Sequence, residues 1–138
     1  MNTCRFCNID SDRSKIVEKF KHCYVMFSNP RIVKGQLLVI PNRHIERMSE
    51  LKDYELLELI HVTNKYCDKI LKFAEGYLIK NNYMPFLDES EKKVDHLHIH
   101  IIPRWNLDEL YTKAIIHENE LFKHLTEREY NEILEKMK

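Results

Sequence analysis

The chain has 138 residues, 43% of them hydrophobic, which suits one compact domain with its own core. Twenty-two basic residues offset twenty-two acidic ones, and this balance excludes a binder of bulk nucleic acid, which needs a surplus of Lys and Arg. No segment approaches the roughly 20 apolar residues of a membrane helix, and the opening "MNTCRFCNID" is polar with no apolar run after it, so a cytoplasmic protein without a membrane partner is expected.

Elements follow in chain order. "KIVEKFKHCYVMFS" (Lys15 to Ser28) is rich in β-branched and aromatic residues and predicts two short strands, with Lys21 and His22 near the turn. "GQLLVIP" (Gly35 to Pro41) is a continuous apolar run, the pattern of a strand covered on both faces. From Ser49 to Gly76 a long helix is predicted, capped by those two residues. Its stripe takes Leu56, Leu59, Ile60, Thr63, Tyr66, Cys67, Ile70, Phe73 and Ala74 at a period near 3.6. "YLIKNNY" (Tyr77 to Tyr83) and "HLHIHII" (His96 to Ile102) read as two further strands. Thr126 and Glu129 stand in capping-box spacing and predict a short C-terminal helix. The order implies an α+β single domain over 1–138, an antiparallel sheet of about five strands with one long helix.

Eight histidines are many for this length, and three stand at alternate positions. In a strand, His96, His98 and His100 share one face, roughly 6.5–7 Å apart, and Leu97, Ile99 and Ile101 share the other. The aliphatic set is suited to a core and the imidazoles to a cleft. Three readings follow from the residues: an exposed histidine row, a three-histidine metal site, or a nucleophilic histidine flanked by two supporting ones. Cys4 and Cys7 form a C-x-x-C, readable as a redox pair, free thiols or metal ligands. Two imidazoles added to two thiolates complete a closed tetrahedral zinc site. Cys23 and Cys67 read as buried core thiols, Cys67 from its place on the apolar stripe. Trp105 reads as packing, and His61, off the stripe, as surface.

"HLHIHII" followed by "PR" resembles the signature of the histidine triad (HIT) family, His-φ-His-φ-His-φ-φ with φ hydrophobic. "GQLLVIPNRH" is similar to the family's Gly-His-x-Leu-Val-Ile-Pro-Lys-x-His segment, with Gln36 for the first His and Asn42 for Lys. "CRFCNI" resembles the opening of the zinc-containing members, so the likeness spans Cys4 to Arg104. The resemblance implies a HIT-like fold and a nucleotide hydrolase or transferase that forms a nucleotidyl-histidine. It makes His98 the nucleophile and His100 the phosphate partner and acid. Transferase branches carry Gln at the third triad position, so His100 favours hydrolysis. It also implies a structural zinc held by Cys4, Cys7, His44 and His96, a small nucleotide substrate and a homodimer.

The likeness fails just before the triad. Where the family has a Gln and a Ser/Thr that help hold phosphate, this chain has "ESEKKVD", with Lys92 and Lys93 at the corresponding offsets. Candidate substrate-binding residues are therefore Lys93 as a point charge, Asn82 as counterpart of the family's Asn, and Arg104 for a distal phosphate. The acidic residue that holds the ribose is missing, with Ser28 or Asn29 as substitutes. The preferred reading is hydrolysis of a nucleoside phosphoramidate, dinucleoside polyphosphate or related conjugate. A nucleotide-binding regulatory protein and a metal-dependent hydrolase that uses the triad as ligands are the alternatives.

Overall fold

Strict alternation of side chains organises the core. In the computed structural model, which describes residues 3–138, five strands form one sheet: β1 (Ile16–Lys19), β2 (Cys23–Phe27), β3 (Leu37–Pro41), β4 (Gly76–Lys80) and β5 (Ile99–Arg104). Their spatial order is β1-β2-β3-β5-β4, and every neighbouring pair is antiparallel. Cys23, Val25, Leu37, Val39, Ile99 and Ile101 point to one face, where they meet Leu59, Val62, Tyr66 and Ile70 of helix α1 (Asp53–Ile70). Tyr24, Met26, Leu38 and Ile40 point to the other face and meet Cys4, Phe6 and Val94. All five residues of β3 are buried, as the unbroken apolar run requires of a strand covered on both sides. Each aliphatic side chain so buried contributes about 2 kcal/mol.

The chain is an α+β protein with the expected antiparallel sheet and long helix. Packing divides it into two units, Met1–Asn106 and Leu107–Lys138. The second holds α2 (Glu109–Lys113), a 3-10 segment (Ile115–Leu121) and α3 (Glu127–Lys136). Thr126 caps α3 as its spacing predicts: Glu129 N–H donates to the Thr126 hydroxyl at 3.2 Å and Thr126 N–H to the Glu129 carboxylate at 3.2 Å. α2 spans too few residues to show a period, and Asp108, which accepts from Tyr111 N–H, is its local signal. Among the described residues, no helix is long and apolar enough to cross a membrane.

The long helix is shorter than its pattern. Leu51 and Lys52 are both extended, so Ser49 lies in a separate 3-10 turn (Met48–Glu50) and the helix starts at Asp53. It ends at Ile70, whose carbonyl accepts from both Phe73 and Ala74 N–H and closes the last turn before Glu75 N–H joins Arg104 in the sheet. The buried stripe is also rotated: Val62 and Glu55 are buried, whereas Ile60 and Phe73 are exposed. Gly35 precedes β3 at φ +88°, and a Cβ there would meet Phe73 at 3.2 Å, so this turn requires glycine. Cys23 and Cys67 are buried thiols, Trp105 packs against the helix-side core, and His61 is exposed.

Glu55 anchors the helix start. Its carboxylate accepts from Lys52 N–H at 3.0 Å and from Arg43 at 2.8 and 3.2 Å. The hydrogen bonds from Arg43 bring its pKa from an ordinary 4.5 down to about 2 against the opposing effect of burial. Because the folded value lies below the unfolded one, this stabilisation is complete above about pH 4.5 and is lost as pH falls towards 2. Glu55→Gln is expected to lower the melting temperature at pH 7 by about 5 °C and to flatten the acid limb of a stability profile. Thermal melts of both proteins from pH 7 to pH 2 check this, and superimposable acid limbs would remove Glu55 from the account.

Candidate active site and metal centre

Four potential ligands converge at one end of the sheet. Cys4 and Cys7 lie on an N-terminal turn closed by Asn8 N–H donating to Cys4 O at 3.0 Å. The turn is pinned to β2 by the Tyr24 hydroxyl, which donates to Phe6 O at 2.6 Å. His44 follows β3, and His96 precedes β5. Cys4 Sγ and Cys7 Sγ each lie 3.4 Å from His96 Nδ1, Cys7 Sγ lies 3.3 Å from His44 Nδ1, and the two Nδ1 atoms are 3.2 Å apart. All donor atoms fall within 4.8 Å of one another.

These spacings fit a tetrahedral ion. Metal–sulfur bonds of about 2.3 Å and metal–nitrogen bonds of about 2.0–2.1 Å place S and N roughly 3.5 Å apart and N and N roughly 3.4 Å apart. His96 Nε2 donates to Pro41 O at 2.8 Å, which leaves Nδ1 as the lone-pair nitrogen that a ligand needs. Burial lowers the His96 pKa to about 4 and raises that of Cys4. A divalent cation supplies the charge that keeps a buried thiol deprotonated. Among the described residues this is the metal-type cluster found, and it takes only the first triad histidine.

The other two face a separate cavity of about 490 Å³, lined in part by Arg5, Phe6, Gln36, Lys92, His98 and His100. His98 Nδ1 lies 2.7 Å from His96 O. A carbonyl only accepts, so Nδ1 carries the hydrogen and Nε2 keeps its lone pair. Burial lowers the His98 pKa, with the charge of Arg5 acting in the same direction, so the ring is neutral at physiological pH. Phe6 packs against it edge-on at 5.1 Å. Gln36, fully buried, fixes the third ring. Its Oε1 accepts from Ile32 and Val33 N–H at 2.8 and 3.4 Å, so its amide nitrogen donates to His100 Nδ1 at 3.0 Å. The His100 proton is thereby held on Nε2. Burial brings its pKa to about 3, so His100 is a neutral donor. The two rings lie 4.7 Å apart. β5 begins only at Ile99, and His96 occupies a bend before it. Leu97 N–H donates to Ile45 O at 2.6 Å instead of entering the ladder.

The structure separates the nine sequence-predicted site residues. Cys4, Cys7, His44 and His96 come together, and His98 and His100 share the cavity. Lys93, Asn82 and Arg104 are not among the cavity's lining residues. Lys93 Nζ donates to Leu87 O at 2.6 Å and to the Asp95 carboxylate, which occupies its charge. Asn82 is exposed beyond the end of the edge strand β4. Arg104 pairs with Gly76 at the far end of β5, about 13 Å along the strand from His100. Lys92, Ser28 and Asn29 do line the cavity. Sequence reasoning noted Gln36 as a departure without giving it a role; its signal was its place on the same face as Leu38, which pairs with His100. Arg5, between the two cysteines, was not singled out.

A model of the HIT domain matches residues 10–107. An uncharacterized HIT-like protein of Methanocaldococcus jannaschii is 36% identical over 109 residues, 76% of this chain and 81% of that protein. An adenosine 5'-monophosphoramidase of Candida albicans is 28% identical over 112 residues, 74% of this chain and 70% of its own. Among solved structures, a zinc-bound histidine triad family protein from Mycobacterium smegmatis has the same fold, with a TM-score of 0.67 at 21% identity over 93% of this chain and 86% of that one.

The donor geometry predicts one tetrahedral divalent ion per chain. Titration with Co(II) is expected to give thiolate charge-transfer bands and the strong d–d bands of a tetrahedral field. Cys7→Ser and His44→Ala are each expected to weaken binding at least about tenfold. An octahedral spectrum, or unchanged affinity in Cys7→Ser, would place the ion elsewhere.

Proposed function

The chain belongs to the HIT domain family, and on that footing we propose that it is a nucleotidyl hydrolase acting on a nucleoside phosphoramidate, a dinucleoside polyphosphate or a related nucleotide conjugate. One observation carries the reading: the hydrogen bond from His98 Nδ1 to His96 O leaves Nε2 as the lone-pair nitrogen of a neutral, cavity-lining imidazole. Nε2 attacks the α-phosphorus. A phosphorus–nitrogen bond to His98 forms as the bond to the leaving amine or phosphate breaks, and the leaving group departs with a proton. Water then attacks the same phosphorus, releases the nucleotide and restores neutral His98.

His100 presents its Nε2–H to a phosphate oxygen. Held neutral with Gln36 donating to Nδ1, His100 stabilises the charge that develops on the phosphate oxygens, and the leaving group takes its proton from solvent. Ser28 and Asn29 line the cavity and serve the ribose side. Cys4, Cys7, His44 and His96 hold a structural zinc, which supplies folding energy and ties the N-terminal turn to the triad segment. The phosphoramidase relative of Candida albicans supports this substrate class.

The protein acts as a homodimer in this reading. β4 is a sheet edge with Tyr77, Leu78 and Ile79 exposed, and α1 exposes Leu57 and Ile60. An unpaired apolar edge strand is a template for a second copy.

A panel of adenosine and guanosine phosphoramidates and diadenosine polyphosphates tests the proposal. Turnover of at least one class is expected, and His98→Gly is expected to reduce it by about 1,000-fold or more while zinc content and melting temperature stay near wild type. Turnover that survives in His98→Gly would reject His98 as the nucleophile.

A further inference from the structure

The cavity carries four cations, Arg5, Arg13, Arg31 and Lys92, and they are not equivalent. Arg13 is paired with the Glu91 carboxylate at 3.1 Å. Arg31 and Lys92 are exposed. Arg5 is half-buried and lines the same cavity as His98, with its guanidinium 6.0 Å from the Phe6 centroid. Its Nη2 donates to the Glu91 backbone carbonyl at 2.9 Å, an uncharged partner. Its Nε is buried without a hydrogen-bond partner. Nε has no surface to offer a ligand and Nη2 spends one donor on Glu91 O, so the remaining Nη donors are those left for a ligand in the cavity that Arg5 lines. Nothing in the mechanism above uses them.

Position in the chain explains how such a group stays in place. Arg5 lies between Cys4 and Cys7, so the turn that holds both thiols also holds its backbone. The next residue, Phe6, is buried against His98. The Glu91 carbonyl that Arg5 holds belongs to the loop where the phosphate-holding Gln and Ser/Thr of similar sequences are missing. A guanidinium presents several donors in a planar fork that matches two phosphate oxygens.

We propose that Arg5 binds the phosphate attacked by His98, in place of the missing pre-triad residues, and that the metal-binding turn delivers it to the cavity. The proposal rests on the nucleotidyl-transfer reading above and names the residue that recognises the substrate's α-phosphate. The substrate is then one whose reacting phosphorus carries free anionic oxygens, as in a phosphoramidate monoester or a polyphosphate.

The test uses the zinc-loaded full chain with AMP, adenosine and adenosine 5'-phosphoramidate as probes, comparing wild type, Arg5→Gln and Arg5→Lys. Arg5→Gln is expected to keep zinc and to bind adenosine as wild type does. It is expected to lose about 100-fold in AMP affinity and in kcat/KM. Arg5→Lys keeps the charge without the fork and is expected to lose about tenfold. A structural role would weaken adenosine and AMP alike, so equal losses overturn the proposal, as does wild-type AMP affinity in Arg5→Gln. Should Arg5→Gln fail to hold zinc, Arg5→Lys decides: selective weakening of AMP supports the proposal, and wild-type AMP affinity overturns it. A wild-type protein that turns over none of these nucleotide conjugates overturns the functional reading itself, and the Arg5 proposal with it; wild-type turnover with an indifferent Arg5→Gln overturns only Arg5.

Discussion

His96 is committed at three of its atoms, and the site depends on all three. Nε2 donates to Pro41 O, Nδ1 faces the two thiols and His44, and its backbone carbonyl accepts from His98 Nδ1. The first bond leaves the lone pair of His96 on Nδ1, among the thiols and His44, and the third leaves that of His98 on Nε2. One residue thus ties the N-terminal turn, the end of β3 and the triad segment together. A ring free to rotate here would disturb the metal cluster and the adjacent imidazole at once.

The sheet makes this economy possible because its two faces do different work. On the α1 face, Leu97, Ile99 and Ile101 complete an aliphatic core. On the opposite face Tyr24 and its neighbours in the sheet meet a layer that includes Cys4, Phe6 and Val94. That layer is tight enough to hold His98 and His100 uncharged, yet it leaves a cavity beside them. The same burial that removes the imidazole charge makes the unsatisfied Arg5 Nε conspicuous.

Much of the fold was legible because its signals are local. Alternation in "HLHIHII" and continuity in "GQLLVIP" state a period and a degree of burial, and the Thr126–Glu129 box states a helix start. The long helix was read too far at both ends, since Ser49 and Gly76 have capping chemistry but the chain is already extended at Leu51 and Lys52. Ile60 and Phe73 fit the apolar period near 3.6 but lie outside the packed face. The sheet covers a narrower strip, centred on Leu59, Val62 and Tyr66, and leaves both side chains exposed.

The sequence by itself determined which chemical groups exist and how they alternate: imidazoles interleaved with aliphatic side chains, two thiols a turn apart, a histidine after an apolar strand. Those properties follow from backbone period and side-chain type, and both act over a few residues. Only the tertiary structure decided how the groups are used. It set Gln36 on His100, 64 positions apart, and placed Arg5 in the lining of the cavity that holds His98. It also engaged Lys93 with Asp95 and left Asn82 and Arg104 off the cavity. Such choices depend on distances of a few ångströms between segments remote in the chain. They are settled by which buried donor finds which acceptor once the sheet has closed.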